Sequence, residues 1–430
     1  MNDLRSQRDT WTFGFFMFAL FLGAGNIIFP PTLGQQAGDS LWLAIFGFLL
    51  TGVGLPVLAV IAISISGSLD EISRKAHPAF AVLFPFIVYL TIGPFFGIPR
   101  TATVAYEIGI VPFLSVDGAT SLFWTTLLFF ALTFILSLNP TKLVNRIGKI
   151  MTPLLLLLII IIAIRVFISP IGSIEKPIDK YAHNTMISGV LEGYLTMDAI
   201  AALVFGMVVI NRITEKGITK ASDIKAFTIR AGIVAGIGLS FVYITLAFIG
   251  ATSVNVIGMQ QNGGTILSMV VENIFGIYGT MILALVIALA CLTTSVGLVS
   301  ACGEYLSKTF KKLPYIVVIA IICLFSFTMA NLGLNQLISF SLPVLYAIYP
   351  IAIVLILLSI VNAKWNITNS IYLGAVIGAG AVSILDGLKT AGFSLGLVEG
   401  LLQALPFYAN GMGWIFPSFI LGLFGAFYKK

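Results

Sequence analysis

Charge is scarce in this sequence. Asp, Glu, Lys and Arg make up 9% of its 430 residues, against 59% hydrophobic ones. A soluble domain carries about 25% charged and 45–50% apolar residues. A larger core cannot absorb that difference, because a surface facing water still needs charge. Mean hydropathy of +1.07 agrees, and it makes lipid the solvent for most of the chain. Histidine is nearly missing as well. His77 and His183 both fall in loop positions, so neither a histidine metal site nor an intramembrane acid–base enzyme centre has residues to build on. The three cysteines, Cys291, Cys302 and Cys323, sit in apolar stretches without the pattern of a disulfide framework or a zinc site. Met1 to Thr10 is polar and runs into an apolar segment with no small-residue cleavage site, which reads as a first crossing helix and not a signal peptide. Nothing calls for a covalent cofactor, a nucleic acid or an obligatory protein partner.

Long apolar runs are what the chain has instead. A helix needs about 20 such residues to cross roughly 30 Å of hydrocarbon. Cuts at polar and Gly/Pro clusters give twelve spans: 11–34, 42–66, 79–108, 119–138, 147–169, 187–210, 226–253, 277–306, 314–332, 336–361, 367–387 and 409–428. No polar stretch between them is long enough for a core, so 1–430 is one membrane domain. Lys and Arg then alternate by side, with 18 of the 23 in loops on the side of both termini. The other five are Arg100, Arg165, Lys176, Lys180 and Lys389. Basic loops mark the cytoplasmic face, so both termini are expected there. The moderately apolar segment 260–276 reads as a re-entrant or interfacial helix on the outer side, or as an ordinary outer loop.

The first span, TWTFGFFMFALFLGAGNIIFPPTLG, is interrupted by Gly23, Gly25, Asn26 and Pro30–Pro31. Gly costs about 1 kcal/mol and Pro about 3 kcal/mol relative to Ala inside a helix. In lipid, an unpaired backbone group costs several kcal/mol more. Such a segment fits a polar cavity, where solute or ion can satisfy the freed groups, better than a plain proline kink. The half-helix after the break offers N–H donors to a carboxylate, and the half before it offers carbonyls to a cation. Transporters built from inverted repeats use such breaks in pairs. The sixth span supplies the partner: Gly189, Gly193 and Gly206 surround Thr196 and Asp198. A carboxyl at mid-bilayer costs about 2.5–3.5 kcal/mol, so Asp198 should face inward with a partner. It reads as a cation ligand or proton carrier, or else as a structural acid paired to Arg100. In the eighth span Thr293, Thr294 and Ser295 form a hydroxyl run. Hydroxyls there commonly bond back to their own helix, but three in a row opposite a broken helix favour a Na+ site. Arg100 and Glu107, seven apart on one face of the third span, could serve a gating or structural ion pair.

The runs LGAGNIIFPPTLGQQAG, GPFFGIPRTATVAYE and LNPTKLVNRIGKIMTPLL together resemble the bacterial branched-chain amino acid:cation symporters, the LIVCS or BrnQ-type carriers, over essentially the whole chain. That family is similar to the amino acid–polyamine–cation superfamily. The resemblance implies an all-α, leucine-transporter-type fold of 12 transmembrane helices with broken first and sixth helices. It implies inverted five-helix repeats at 11–169 and 187–361 with two additional helices over 367–428. It also implies uptake of leucine, isoleucine and valine coupled to Na+ (or to H+) across the bacterial cell membrane. Carried over by position, it puts the substrate carboxylate at the backbone of Gly23, Ala24 and Gly25. Na+ goes to the carbonyls of Ala19, Leu22 and Ala290 with Thr293 and Thr294. A possible second ion falls at Asn26, Thr196 and Asp198, although an acid at 198 departs from the pattern, where a hydroxyl is commoner.

A zwitterion with an aliphatic side chain needs donors at one end, acceptors at the other and an apolar wall. The donors would come just after Gly25, and the region Thr196–Asp198 would accept the ammonium. Tyr89 and the break at Gly93-Pro94-Phe95-Phe96 in the third span are candidate wall residues. A membrane enzyme lacks its catalytic constellation here, and a channel would show continuous pore helices or a repeated filter loop. A carrier of the same fold for another small solute, such as a nucleobase or a metal ion, is the competing reading.

Overall fold

The computed structural model describes residues 7–114 and 118–427, with 7, 8 and 140–152 described by backbone alone. Of the basic residues that set the expected orientation, Arg5, Lys429 and Lys430 lie outside the described residues. Those at 8, 142, 146 and 149 lie where only the backbone is described. All regular structure among the described residues is helical.

The first span is two helices, α1 (Gln7–Phe21) and α2 (Ala24–Ala37). The second runs from α3 (Leu41–Leu49) through a π-turn at Leu50–Gly54 into α4 (Leu55–Ser66). A short α5 (Leu69–Ala76) fills the next loop, where Ser68 caps the Glu71 N–H at 3.2 Å. Asp70 and Glu71 lie in its first turn and Arg74 and Lys75 in its last, each complementing the helix dipole. The third span is α6 (Phe80–Leu90), a π-turn at Thr91–Phe95 and α7 (Gly97–Gly109). The fourth and fifth are α8 (Ala119–Ser137) and α9 (Pro140–Ile168). After α10 (Lys180–His183), the sixth is α11 (Thr185–Tyr194) with α12 (Asp198–Glu215), bent by 43°. The seventh is α13 (Ala221–Ile257). α14 (Gly263–Thr309) kinks at Gly276, whose φ of 64° separates a distinct helix over 263–275 from the eighth span. Of the two readings of 260–276, the helical one matches the structure. α15 (Tyr315–Ala330), α16 (Leu334–Trp365), α17 (Asn369–Thr390), α18 (Leu397–Gln403) and α19 (Ile415–Phe427) complete the chain.

Every one of the twelve expected spans falls on helix. By length and hydropathy alone, seven stretches of the described residues can cross a bilayer, and the bent pair α11–α12 makes an eighth. Three shorter apolar helices, Pro153–Ile168, Tyr315–Ala330 and Ile415–Phe427, occupy the fifth, ninth and twelfth spans. The last begins six residues later than the pattern suggests, because Tyr408–Asn410 is a 3-10 turn and Gly411 is left-handed. Rows of large apolar side chains face outward. Ile233, Ile237 and Phe241 repeat every fourth residue on α13, and Trp124 and Leu128 do so on α8. In water such rows would drive aggregation, whereas acyl chains solvate them.

The packing carries an internal symmetry. The first span packs on the seventh through α2 and α13, and the second on the sixth through α3 with α11 and α4 with α12. Exchanging each span for the one five later turns the first of these pairings into the second. The third and eighth spans (α7, α14) and the fourth and ninth (α8, α15) pair with each other, as the same exchange requires. Glycines sharpen the match. A Cβ on Gly34 would strike the Ala247 carbonyl, and one on Gly250 the Pro31 carbonyl. In the second pairing, a Cβ on Gly47 would strike the Met186 carbonyl and one on Gly189 that of Ala44. In all four contacts the carbonyl lies three residues before the partner helix's own glycine.

Candidate substrate and ion site

The α1–α2 break falls at Leu22–Gly23, where the glycines disfavour helix. Gly23 is extended (φ −110°, ψ −173°), and its N–H donates to the Asn26 Oδ1 at 3.0 Å. Pro30 and Pro31 lie inside α2, not at the break, so the prolines do not make it. The last carbonyls of α1 and the first N–H groups of α2 lack intrahelical partners by geometry. The second break, Leu195–Met197, has Met197 in the left-handed region (φ 63°, ψ 11°). That conformation costs a non-glycine residue about 1–2 kcal/mol.

The two breaks meet. A Cβ on Gly25 would lie 3.1 Å from the Thr196 carbonyl oxygen and 3.3 Å from Arg100 Nη1. Asn26 Nδ2 donates to Asp198 Oδ2 at 2.5 Å and also bonds the Tyr243 hydroxyl. The Tyr243 hydroxyl in turn donates to the same carboxylate oxygen at 2.8 Å. Thr196 Oγ1 donates to the Gly193 carbonyl at 2.9 Å and accepts from the Asp198 N–H at 3.3 Å. Asn26 and Asp198 are 1% and 4% exposed. Asn26, Thr196 and Asp198, expected together from sequence, are therefore neighbours. Tyr243 was not expected. Its only sequence signal is a phenol in the apolar middle of the seventh span, where the hydroxyl must find a partner.

Arg100 lies between the breaks. It is 2% exposed, and its Nη1 donates to the Leu195 carbonyl at 2.5 Å while Nη2 donates to the Ser341 hydroxyl at 3.3 Å. The Phe29 ring lies 5.1 Å from its Cζ. No ion pair among the described residues includes Arg100 or Asp198. The structural pairing of the two, one sequence expectation, is thus not formed, nor is an Arg100 ion pair with another acid.

The eighth span reaches the first break, with Thr294 Cγ2 placed 3.7 Å from a Cβ on Gly23. The Thr293 and Thr294 hydroxyls both donate to the Ala290 carbonyl, at 2.9 and 3.0 Å. This back-bonding is local, and each hydroxyl keeps lone pairs for a cation. Tyr89 and Gly93 sit elsewhere. Tyr89 stacks on Tyr305 with ring centroids 3.8 Å apart, and a Cβ on Gly93 would lie 2.6 Å from Cys302 Sγ. These contacts are with the late part of α14. The third-span residue at the breaks is Arg100. A cavity of about 200 Å³ opens beside α11, lined by Leu191, Tyr194, Tyr346, Pro350, Asp386, Lys389 and Trp414 among others. Tyr194, immediately before Leu195, stacks on Tyr349 at 4.4 Å.

The family described as "Branched-chain amino acid transport protein" matches residues 6–430. The "Branched-chain amino acid permease BraB" of Bacillus subtilis is 48% identical over 97% of this chain and 95% of its own length. The "Branched-chain amino acid transport system 2 carrier protein" of Pseudomonas aeruginosa is 43% identical over 95% and 93%. The Escherichia coli K12 permease BrnQ is 40% identical over 98% and 95%. Among solved structures, the nucleobase-cation-symport-1 family transporter Mhp1 superposes with a TM-score of 0.64 at 12% identity, over 97% of this chain and 92% of that one. MhsT, solved with L-phenylalanine, gives 0.55 at 17% identity over 96% and 97%. These two show the fold alone: an all-α, leucine-transporter-type arrangement with broken first and sixth helices.

Proposed function

The chain belongs to the branched-chain amino acid transport protein family, and from that premise we propose that it imports leucine, isoleucine and valine by alternating access, with Na+ as the coupling ion. It is a transport protein and not an enzyme. The observation that carries the mechanism is the meeting of two helix breaks around a buried carboxylate, Asp198, held by Asn26 and Tyr243. Freed backbone groups and a charge at one point in an apolar bundle suit a zwitterion and a small cation.

In this reading, α2's first turn at Gly23, Ala24 and Gly25 faces the carboxylate, and Asp198 with Thr196 faces the ammonium. Na+ takes the carbonyls of Ala19, Leu22 and Ala290 and the hydroxyls of Thr293 and Thr294. The approach of Thr294 to Gly23 supports this placement. A second ion at Asn26, Thr196 and Asp198 would use groups already in contact. The span-exchange symmetry supports repeats at 11–169 and 187–361 with two added helices over 367–428. Loop charge supports cytoplasmic termini in a bacterial cell membrane, which puts the 200 Å³ cavity on the outer side. Pockets of this kind separate substrates one methylene apart by about 1–3 kcal/mol, so overlapping uptake of all three amino acids is expected.

H+ is the second reading, favoured by Asp198 itself, a buried carboxyl at the breaks that can take the coupling proton. Liposomes holding the purified protein should accumulate labelled leucine under an inward Na+ gradient. Uptake that ignores Na+ and tracks a pH gradient would install H+ instead. Absence of leucine, isoleucine and valine uptake under either gradient would remove the substrate assignment.

A further inference from the structure

Arg100 is a buried guanidinium with no carboxylate on it among the described residues. Its five N–H donors meet one carbonyl and one hydroxyl, while Nε is buried without a partner. Arginine stays charged in proteins, and a buried charge without a counter-charge is costly. The two bonds it makes nonetheless fix the plane of the fork. They tie one Nη to the C-terminal end of α11 and the other to α16, and they leave the Nε edge uncommitted. That guanidinium also packs against the first turn of α2, 3.3 Å from where a Cβ of Gly25 would stand. The N–H groups of that turn have no partner within the helix, and the Gly23 N–H alone is taken, by Asn26. Two sets of donors, one formally charged, therefore converge on the same small region.

The opposite charge is close but separate. Asp198 is held by Asn26 and Tyr243, Arg100 by Leu195 and Ser341, and no ion pair joins them. A fixed cation and a fixed anion, each restrained from collapsing onto the other, complement a zwitterion in one orientation only.

We propose that Arg100 receives the α-carboxylate of the carried amino acid through its Nε edge, alongside the first turn of α2, while Asp198 faces the ammonium. Leu195 and Ser341 are positioning residues that aim the guanidinium. The inference rests on the amino acid carrier reading. It adds a side-chain receptor to a carboxylate site otherwise made of backbone, and it makes a free carboxylate a requirement for recognition.

Equilibrium binding of labelled leucine to the purified protein tests this, with unlabelled leucine and leucinol as competitors. Leucinol keeps the ammonium and the side chain and lacks the carboxylate. The wild type should prefer leucine strongly. Arg100→Gln should weaken leucine by about 10- to 100-fold, the range for a lost hydrogen bond to a charged group. Leucinol should change by no more than about threefold, so the preference collapses, and Arg100→Lys should restore part of it. An Arg100→Gln protein that keeps the wild-type leucine-to-leucinol ratio, whether both affinities fall together or neither moves, overturns the proposal in favour of a structural role. If that variant does not fold, the ratio is read in Arg100→Lys and Ser341→Ala. Both should lower it, and an unchanged ratio in both overturns the proposal equally. A wild type that binds no leucine at all defeats the carrier reading itself, which separates the two failures.

Discussion

At the first break the exposed backbone is tended from within its own helix, by Asn26 on the Gly23 N–H. At the break in the sixth span it is tended also from a distant span, by Arg100 on the Leu195 carbonyl, 95 residues away in sequence. The dihedrals differ in the same sense. Gly23 rests in extended geometry that any residue adopts, whereas Met197 is held left-handed and buried. The first break is therefore capped from within its own span. The break in the sixth span has local bonds of its own through Thr196, but it also draws on Arg100 and holds a left-handed Met197, so its geometry is open to adjustment by whatever occupies the space between the spans. Asp198 sits at the adjustable break and is gripped by Asn26 from the local one, which ties the two together.

Removing the charge at that junction should have the largest effect. Asp198→Asn keeps the shape and loses the anion, and coupled leucine uptake in liposomes should fall by at least about 100-fold, a loss of roughly 2.7 kcal/mol or more. Unchanged uptake and ion dependence would return Asp198 to a purely structural role. Gly25→Ala tests whether the breaks are in contact. The added methyl would press on the Thr196 carbonyl and on Arg100, an overpacking cost of about 1–3 kcal/mol. Uptake should drop about tenfold while the helical circular dichroism signal stays within error, and wild-type uptake would separate the breaks. Tyr243→Phe removes one of two donors to Asp198 Oδ2, a charge-assisted bond worth about 1.5–3 kcal/mol. The concentration of coupling ion giving half-maximal uptake should rise about tenfold, with a smaller change for leucine. The smallest effect belongs to Tyr89→Phe. Its ring stacks on Tyr305, so uptake should remain within about twofold. A larger loss would bring Tyr89 back to the substrate wall.

The breaks themselves were readable from sequence because glycine, asparagine and aspartate in an apolar run violate what lipid permits. Asn26, Thr196 and Asp198 lie together as their paired positions suggested. What escaped was tertiary. Tyr243 lies in an ordinary apolar stretch, LSFVYITLAF, and only the fold shows which acid it serves. Arg100 looked like half of an ion pair because a buried cation normally calls for an acid, yet the freed Leu195 carbonyl serves it instead. Tyr89 and Gly93 pack on α14, and a change of helical phase between α6 and α7 accounts for it. The π-turn at Thr91–Phe95 and the non-helical Gly93 (φ −86°, ψ −119°) rotate α7 about its axis relative to α6. Tyr89 thus faces α14 while Arg100 faces the breaks. The helix α5 carries a readable signature, Ser68 three residues before Glu71, in the loop between the second and third spans.

The reciprocal glycine contacts bear on how such a bundle can move. Where α2 meets α13, and α3 meets α11, no layer of side chains intervenes, and each helix lodges a carbonyl in the notch left by the other's glycine. Two such teeth per pair, facing in opposite senses, stop either helix from sliding or rolling on its neighbour without lifting away from it. The first and seventh spans are thereby geared into one stiff plank, and the second and sixth into another. Any excursion that opens the breaks to one side of the membrane and then the other must be taken up at softer seams cushioned by side chains, such as the stacked Tyr89 and Tyr305 between α6 and α14.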